Sequence, residues 1–259
     1  MNALKIGATG MLAQQSNVDV LSNNIANINT TAFKRQRASF KDLLYMNERT
    51  PGAATSSANT LAPSGVQYGL GVNVGSVYRN FEQGAVTRTD APLDISIQGR
   101  GFFTITMPNG DTAYTRDGAF QLNENGDLVT SQGFLLDPAI NVPPEAIDIN
   151  IAGDGTVTAS VDDTIVNLGQ ITTNMFVNEA GLEAMGDNLY RETEASGAAA
   201  NVIAGEDGSG ELLQRHLEGS NVDAIESITD LITAQRAYEL NSQIITTADE
   251  MMAAANQIR

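Results

Sequence analysis

The sequence predicts an α+β fold in which paired, coiled-coil-like N- and C-terminal helices carry an inserted, mainly antiparallel β domain. Three observations lead there. Near the C-terminus Leu231, Tyr238, Ile245 and Met252 recur every seven residues, and Ile244, Met251 and Ile258 form a second row at the same spacing. Near the N-terminus Leu4, Met11, Val18 and Ile25 recur every seven, with Leu21 and Ile28 alongside. Between the two ends the apolar period falls to two. A seven-residue repeat marks a helix packed along its length against other helices, and a two-residue repeat marks a half-buried strand.

Residues 1–30 are expected to form the first part of a helical domain that residues 220–259 complete. Gly7 and Gly10 each weaken the first helix by roughly 1 kcal/mol relative to Ala. An isolated helix of this kind is marginal, so it requires a partner surface. Asn23, Asn24, Asn27 and Asn29 then crowd seven positions. Asn side chains compete for backbone hydrogen bonds, so this run marks the helix end or a polar helix–helix contact. Phe33, Lys34, Arg35, Arg37 and Lys41 form the one basic cluster. A solvated face and an ionic contact to an acidic neighbouring subunit are equally good readings of it.

Residues 31–71 are assigned to a linker or extended segment, since 49–65 are small, polar and without period. Within it Tyr45, Leu61, Pro63, Val66, Tyr68 and Leu70 are spaced for an extended strand. The stretch Tyr45 to Gly71 is therefore read as an insert that stiffens an assembly by reaching onto neighbours, with a plain tether as the alternative. Residues 72–219 are assigned to the β domain, a sandwich or open barrel. Val72/Val74, Ile95/Ile97, Phe103/Ile105/Met107 and Ile147/Ile149/Ile151 alternate there with polar or small residues. Asn109-Gly110, Asp117-Gly118, Asn125-Gly126 and Asp154-Gly155 read as type I′ hairpin turns, because both residues tolerate positive φ. Ser220, Asn221 and Asp223 stand where a capped helix start requires them. No Pro or Gly interrupts Asn221 to Arg259, which as a helix spans ~55 Å. Ala234, Ala248 and Ala255, with Asn241 in the gap, form a small-residue row that lets a neighbouring backbone approach.

The chain of 259 residues has no Cys, no Trp and one His, which excludes disulfides and thiolate metal sites. Its net charge is −17, concentrated in an acidic middle that argues against nucleic acid, whose phosphates demand a basic face. The N-terminus lacks the charged region and apolar run of a secretory signal, and no stretch reaches the ~18 apolar residues of a membrane span. No catalytic, cofactor-binding or metal site is expected. His216 reads as a surface residue beside Arg215. Gly99-Arg-Gly101 lacks the third Gly and the helix of a phosphate loop. Asn123 to Asp127 lacks the closing Glu of a calcium loop, Phe134 standing in its place. Asp162-Asp163 and Glu192/Glu194 read as solvated surface.

Three stretches together resemble one family. Leu21-Ser-Asn-Asn-Ile-Ala-Asn-Ile-Asn-Thr-Thr-Ala-Phe-Lys-Arg35 resembles the N-terminal signature of bacterial flagellar basal-body rod and hook proteins. Gln98-Gly-Arg-Gly-Phe-Phe-Thr-Ile105, Tyr114-Thr-Arg-Asp-Gly-Ala-Phe120 and Gly126-Asp-Leu-Val-Thr-Ser-Gln-Gly133 resemble their β core. Glu218-Gly-Ser-Asn-Val-Asp-Ala-Ile225, Ala234-Gln-Arg-Ala-Tyr-Glu-Leu-Asn-Ser242 and Thr247-Ala-Asp-Glu-Met251 resemble their C-terminal helix. The sequence departs from the family pattern at Ala32, where Gly is common, and at Val202 to Glu211, where a Gly/Pro-rich run is expected.

The resemblance implies a structural axial subunit with no cofactor and no small-molecule substrate. Length and the Tyr45–Gly71 insert are most similar to the distal rod branch of the family, the proximal rod branch being the runner-up. Such a subunit would be an export substrate without a cleaved signal, would span the periplasm within the basal body, and would polymerise with copies of itself. Its partners would be proximal rod subunits, hook protein, the peptidoglycan-layer and outer-membrane ring bushings and the export apparatus. The implied subunit interface comprises Leu4, Met11, Val18, Leu21, Ile25, Ile28, Leu231, Tyr238, Ile244, Ile245, Met251, Met252 and Ile258. A reading from another class is a secreted glycan-binding or hydrolytic β domain with helical tails. Heptad-bearing ends favour the assembly reading, and growth of tubes with concentration separates the two.

Overall fold

A computed structural model describes residues 2–51, 64–161 and 164–257. Contacts divide the chain into two units. One comprises Met1–Ala26, Gln36–Arg79 and Asp223–Arg259, and the other comprises Asn27–Arg35 and Asn80–Val222. The chain thus crosses between them four times.

The helical unit is built on α1, Asn2–Ala26, and α2, Ala224–Gln257, which pack along one another. At 34 residues α2 is about 51 Å long. Of the three candidate caps, Asp223 takes the role: its Oδ1 accepts the amides of Ile225 at 2.8 Å and Glu226 at 3.0 Å. Ser220 and Asn221 serve elsewhere. The partner surface that α1 requires is α2 itself. Gly7 and Gly10, read as weaknesses, are points of close approach. A Cβ on Gly7 would stand 2.9 Å from Ile245 Cγ1, and one on Gly10 would stand 2.9 Å from Asn241 Oδ1.

The segment 31–71 differs from the expected linker. Gln36–Asp42 is a strand paired antiparallel with Val72–Arg79, and Tyr45–Arg49 pairs with Val66–Gly69. Both ribbons belong to the helical unit, so Val72 and Val74 lie there and not in the β domain. The strand spacing at Tyr45, Val66 and Tyr68 and the alternation at Val72/Val74 agree with these strands, but spacing along one strand does not say which other strand it meets. Thr9 of α1 joins the helix to this strand pair, its hydroxyl accepting the Val72 amide at 3.4 Å. Leu61 and Pro63, two of the expected anchors, lie outside the described residues, as do Asp162 and Asp163.

In the β unit all the strand ladders are antiparallel. Phe102–Thr106 is central, bonded to Thr112–Thr115, Leu135–Asp137 and Thr172–Met175. Alternation predicts one buried face, yet both are buried. Phe103 packs with Ile95, Ile97, Phe120 and Leu136, while Phe102 makes edge-to-face ring contacts with Phe176 and Tyr190, and Phe176 makes one with Tyr114. Asp148–Ile151, Thr156–Val161 and Thr164–Gln170 form a three-stranded meander. Ile151 enters the core from it, whereas Ile147 is exposed. Gly110, Gly126 and Gly155 all have φ near +86°, as turn glycines should. Gly118 does not behave this way. Thr112–Thr115 and Phe120–Leu122 are not paired to each other. Gly118 instead passes directly over Ile95, whose amide donates to its carbonyl at 3.0 Å.

Candidate functional site

The interface residues expected from the heptads fall into two groups. Leu21 is buried, and Leu4, Met11, Val18, Ile25, Leu231, Ile245 and Met252 are half-buried in the helical unit. Ala234 and Ala248 are buried on the same stripe of α2, whereas Ala255 is exposed. Tyr238, Ile244 and Met251 remain 42%, 47% and 65% exposed, as do Leu12, Ile225, Ile232 and Leu240 to a similar or greater extent. A helix that buries one stripe and leaves a second apolar row uncovered has surface for more helices. Ile28 lies beyond α1, in the β unit, and is half-buried there. Ile258 lies outside the described residues.

The basic cluster is not a single surface. Lys34 is 1% exposed, which excludes it both as a solvated residue and as a contact to a neighbour. Its Nζ donates to Glu218 Oε1 at 2.6 Å and to the Glu82 carbonyl at 2.8 Å. Glu218 Oε1 also accepts the Gly84 amide at 2.9 Å, and Oε2 accepts Arg116 Nε at 2.9 Å. Arg116 Nη1 and Nη2 donate to the carbonyls of Gly101 and Gly99, at 3.0 and 2.7 Å. Gly99 and Gly101, at φ +128° and +136°, turn these carbonyls towards the guanidinium. The Gly-Arg-Gly stretch therefore holds a cation from within the chain. Arg100 points elsewhere and pairs with Glu179 at 2.8 Å.

One buried carboxylate here serves two cations, and their proton affinities follow from that imbalance. For Glu218 burial pushes upward, but Arg116, Lys34 and the Gly84 amide overcome it and hold the carboxyl below its usual range. For Lys34 burial and the Arg116 charge outweigh the pull of Glu218, and the ammonium is pushed down to about 8. Lys34 is the surplus charge of the cluster.

Two asparagines do comparable work on the backbone. Asn24, buried near the end of α1, accepts the Gln36 amide and donates to the Gln36 carbonyl, both at 2.8 Å. It pairs with strand 36–42 as another strand would; of the two readings of the Asn run, the helix end at Ala26 holds for it and a helix–helix contact does not. Asn221 accepts the Arg35 amide at 2.7 Å and donates to the carbonyls of Asn80 and Glu82 at 2.9 Å. Its own amide donates to Phe33. Ala32 lies at φ +55° with its amide on the Glu218 carbonyl, a left-handed position that accounts for Gly being common there. Sequence reasoning missed Arg116 and Glu218 as working residues and gave Asn24 and Asn221 other roles. The available signal was a lone Arg and a lone Glu inside the family-like motifs of an acidic domain.

The rejected sites are ordinary structure. Asp127 accepts the amide groups of Asn123 and Asn141, which lower its pKa and close a turn. His216 is half-buried, with Nδ1 2.7 Å from the Gln214 carbonyl.

A helix pair that leaves an apolar row uncovered, and buried charges that all join parts of the same chain, are the make-up of a structural subunit. The comparisons with known proteins agree. Residues 4–34 match the model of the flagella basal body rod protein. Residues 96–159 match the flagellar hook protein FlgE/F/G D1 domain, and 213–258 match the flagellar basal body rod FlgEFG protein C-terminal region. The flagellar basal-body rod protein FlgG of Caulobacter vibrioides is 54% identical over 261 residues, covering 100% of both chains. The FlgG proteins of Agrobacterium fabrum and Bacillus subtilis are 50% and 38% identical, each covering 97% of both chains. A crystal structure of Helicobacter pylori flagellar hook protein FlgE2 overlaps 71% of this chain and 43% of its own, at 16% identity and TM-score 0.24, too distant to add to the fold described above. The chain belongs to the flagellar basal-body rod protein family. It is a structural protein of the flagellar basal body, not an enzyme, and assembles into the axial structure of the flagellum.

Proposed function

We propose that this chain is the distal rod subunit, polymerising into a hollow, rigid shaft that transmits torque and surrounds the export channel. The observation that carries this reading is the double apolar stripe of α2. One stripe is used by α1, and the outer row of Leu240, Ile244 and Met251 is left for helices of neighbouring copies. In the polymer α1 and α2 line the inner tube and the β unit is the outer part. The shaft spans the periplasm, meets proximal rod subunits and hook protein at its ends, and turns inside the peptidoglycan-layer and outer-membrane ring bushings. The subunit reaches its place through the flagellar export apparatus.

Two further features support an assembly of copies. Arg37 and Lys41 are exposed, while the β unit carries seven Lys/Arg against 22 Asp/Glu, so a basic edge on one copy meets an acidic unit on the next. Tyr45, Met46 and Tyr68 are exposed on a two-stranded ribbon, which is marginally stable in water unless covered. This favours the stiffening role of Tyr45 to Gly71 over a tether. The test is Ile244→Asp. An exposed site tolerates the charge in the free subunit, so helix content should be unchanged while tube growth in electron micrographs stops. Normal tubes from this variant would remove the outer row from the interface. Ile245→Asp or Leu231→Asp, inside the α1–α2 stripe, should abolish both the helix pairing and the tubes while sparing the β unit.

A further inference from the structure

We propose that Lys34, Arg116 and Glu218 form a latch that makes completion of the β unit conditional on both ends of the chain being in place. The three residues come from three distant stretches. Lys34 lies eight residues after α1, Glu218 lies six before α2, and Arg116 lies in the middle of the β unit. Each is 1–2% exposed. None can be buried alone, because an isolated charge in a protein interior is strongly unfavourable.

The segment 27–35 is fastened as part of the β unit. The Thr31 carbonyl accepts Asn188 Nδ2 at 2.7 Å, and the Ala32 amide donates to the Glu218 carbonyl at 2.8 Å. Phe33 and Arg35 are bonded to Asn221, and the Arg35 carbonyl accepts the Asn80 amide at 2.9 Å. The N-terminal segment thus docks largely on 218–221, and both close over the carbonyls presented at 80–84 and 99–101. A chain missing the C-terminal segment would leave Lys34 and Arg116 buried without their carboxylate, and one missing the N-terminal segment would leave the Glu82 carbonyl and Glu218 Oε1 without the Lys34 ammonium and strip the backbone bonds that 27–35 makes to 218–221. In a polymer of copies, such a subunit would lack α1 or α2 and would break the tube. The latch ties the finished β unit to the presence of the segments that lead into both helices. This holds whichever part of the axial structure the chain builds.

The charge inventory makes the latch asymmetric. Removing Glu218 leaves two buried cations facing each other. Removing Lys34 leaves a balanced Glu218–Arg116 pair. The experiment is amide hydrogen exchange on the full chain, comparing wild type with Glu218→Gln, Lys34→Met and the double variant. In Glu218→Gln, exchange at Ala32, Arg35, Gly84 and Asn221 should rise together by on the order of a hundredfold, while Phe102–Thr106 stays protected. Adding Lys34→Met should recover at least about tenfold of that loss, because it removes the surplus charge. Lys34→Met alone should loosen 27–35 and leave Gly84 protected, which keeps the proposal testable if Glu218→Gln fails to fold. Loosening confined to Gly84 in Glu218→Gln, faster exchange in the double variant than in Glu218→Gln, or equal loosening of 27–35 and Gly84 in Lys34→Met would each overturn the latch.

Discussion

Gly118→Ala tests the conclusion that this glycine is a point of backbone approach and not a hairpin turn. A Cβ at 118 would stand 1.5 Å from the Ile95 carbonyl oxygen and 2.7 Å from its carbon. Contact needs roughly 3.5 Å, so the two backbones must part by about 2 Å. Ile95 is fully buried, and its amide bond to Gly118 would be lost without water to replace it, at about 1–3 kcal/mol. Displacing Ile95 and Ile97 from the core adds about 1–3 kcal/mol. The sum, about 4 kcal/mol, corresponds in a unit of this size to a fall in Tm of about 8–16 °C. Gly110→Ala is the control. It has φ +86° but no atom within 4 Å of the new Cβ, so it should cost only the left-handed strain of about 1–2 kcal/mol. The assay is thermal unfolding followed by near-ultraviolet circular dichroism of the tyrosines. Equal losses from the two substitutions would refute the reasoning, since backbone conformation alone would then account for both.

Asn24→Leu should destabilise the helical unit by about 2–4 kcal/mol, because it strands both polar groups of Gln36; faster exchange of the Gln36 amide would report it, and unchanged exchange would count against the pairing. Acid should loosen the β unit through Glu218. Its folded pKa is below the unfolded value of 4.5, so its stabilisation is full above that value and is lost as pH falls through the folded pKa. Lys34 has the opposite sign to an ordinary paired lysine. Its folded value of about 8 lies below 10.5, so burying the charged form costs stability at neutral pH, and the cost is relieved as pH rises between these values. Tm measured against pH should therefore fall more steeply below pH 5 in wild type than in Glu218→Gln, and matching slopes would show that the carboxylate is not held. Deleting Pro51–Ser64 should leave tubes that assemble but bend more easily, as read from their persistence length in micrographs, and equally straight tubes would leave the segment a tether.

By itself the sequence determined the two helices, the strand-rich middle and the family. Those depend on local patterns: the heptad rows, the alternation at Phe103 and Ile105, the Gly turns at 110, 126 and 155, and motifs such as Asn29-Thr-Thr-Ala-Phe-Lys34. The sequence could also bar thiol chemistry and make an enzyme a poor reading, since composition alone decides those. Tertiary structure decided whatever depends on which distant residues meet. Lys34 reads as one more residue of a basic run until Glu218, 184 positions on, stands 2.6 Å away. Gly7 and Gly10 look like helix faults until α2 lies against them, and Gly118 looks like a turn until Ile95 is seen beneath it. Asn221 was a plausible cap, but four hydrogen bonds to other segments outweigh one to a helix end, and Asp223 took the cap. Strand spacing at Tyr45, Val66, Tyr68 and Val72/Val74 was legible, but the pairing of the ribbons within 36–79 was not, because spacing along one strand does not say which other strand it meets. Local periodicity records which face a residue turns, and only the folded chain settles what that face meets.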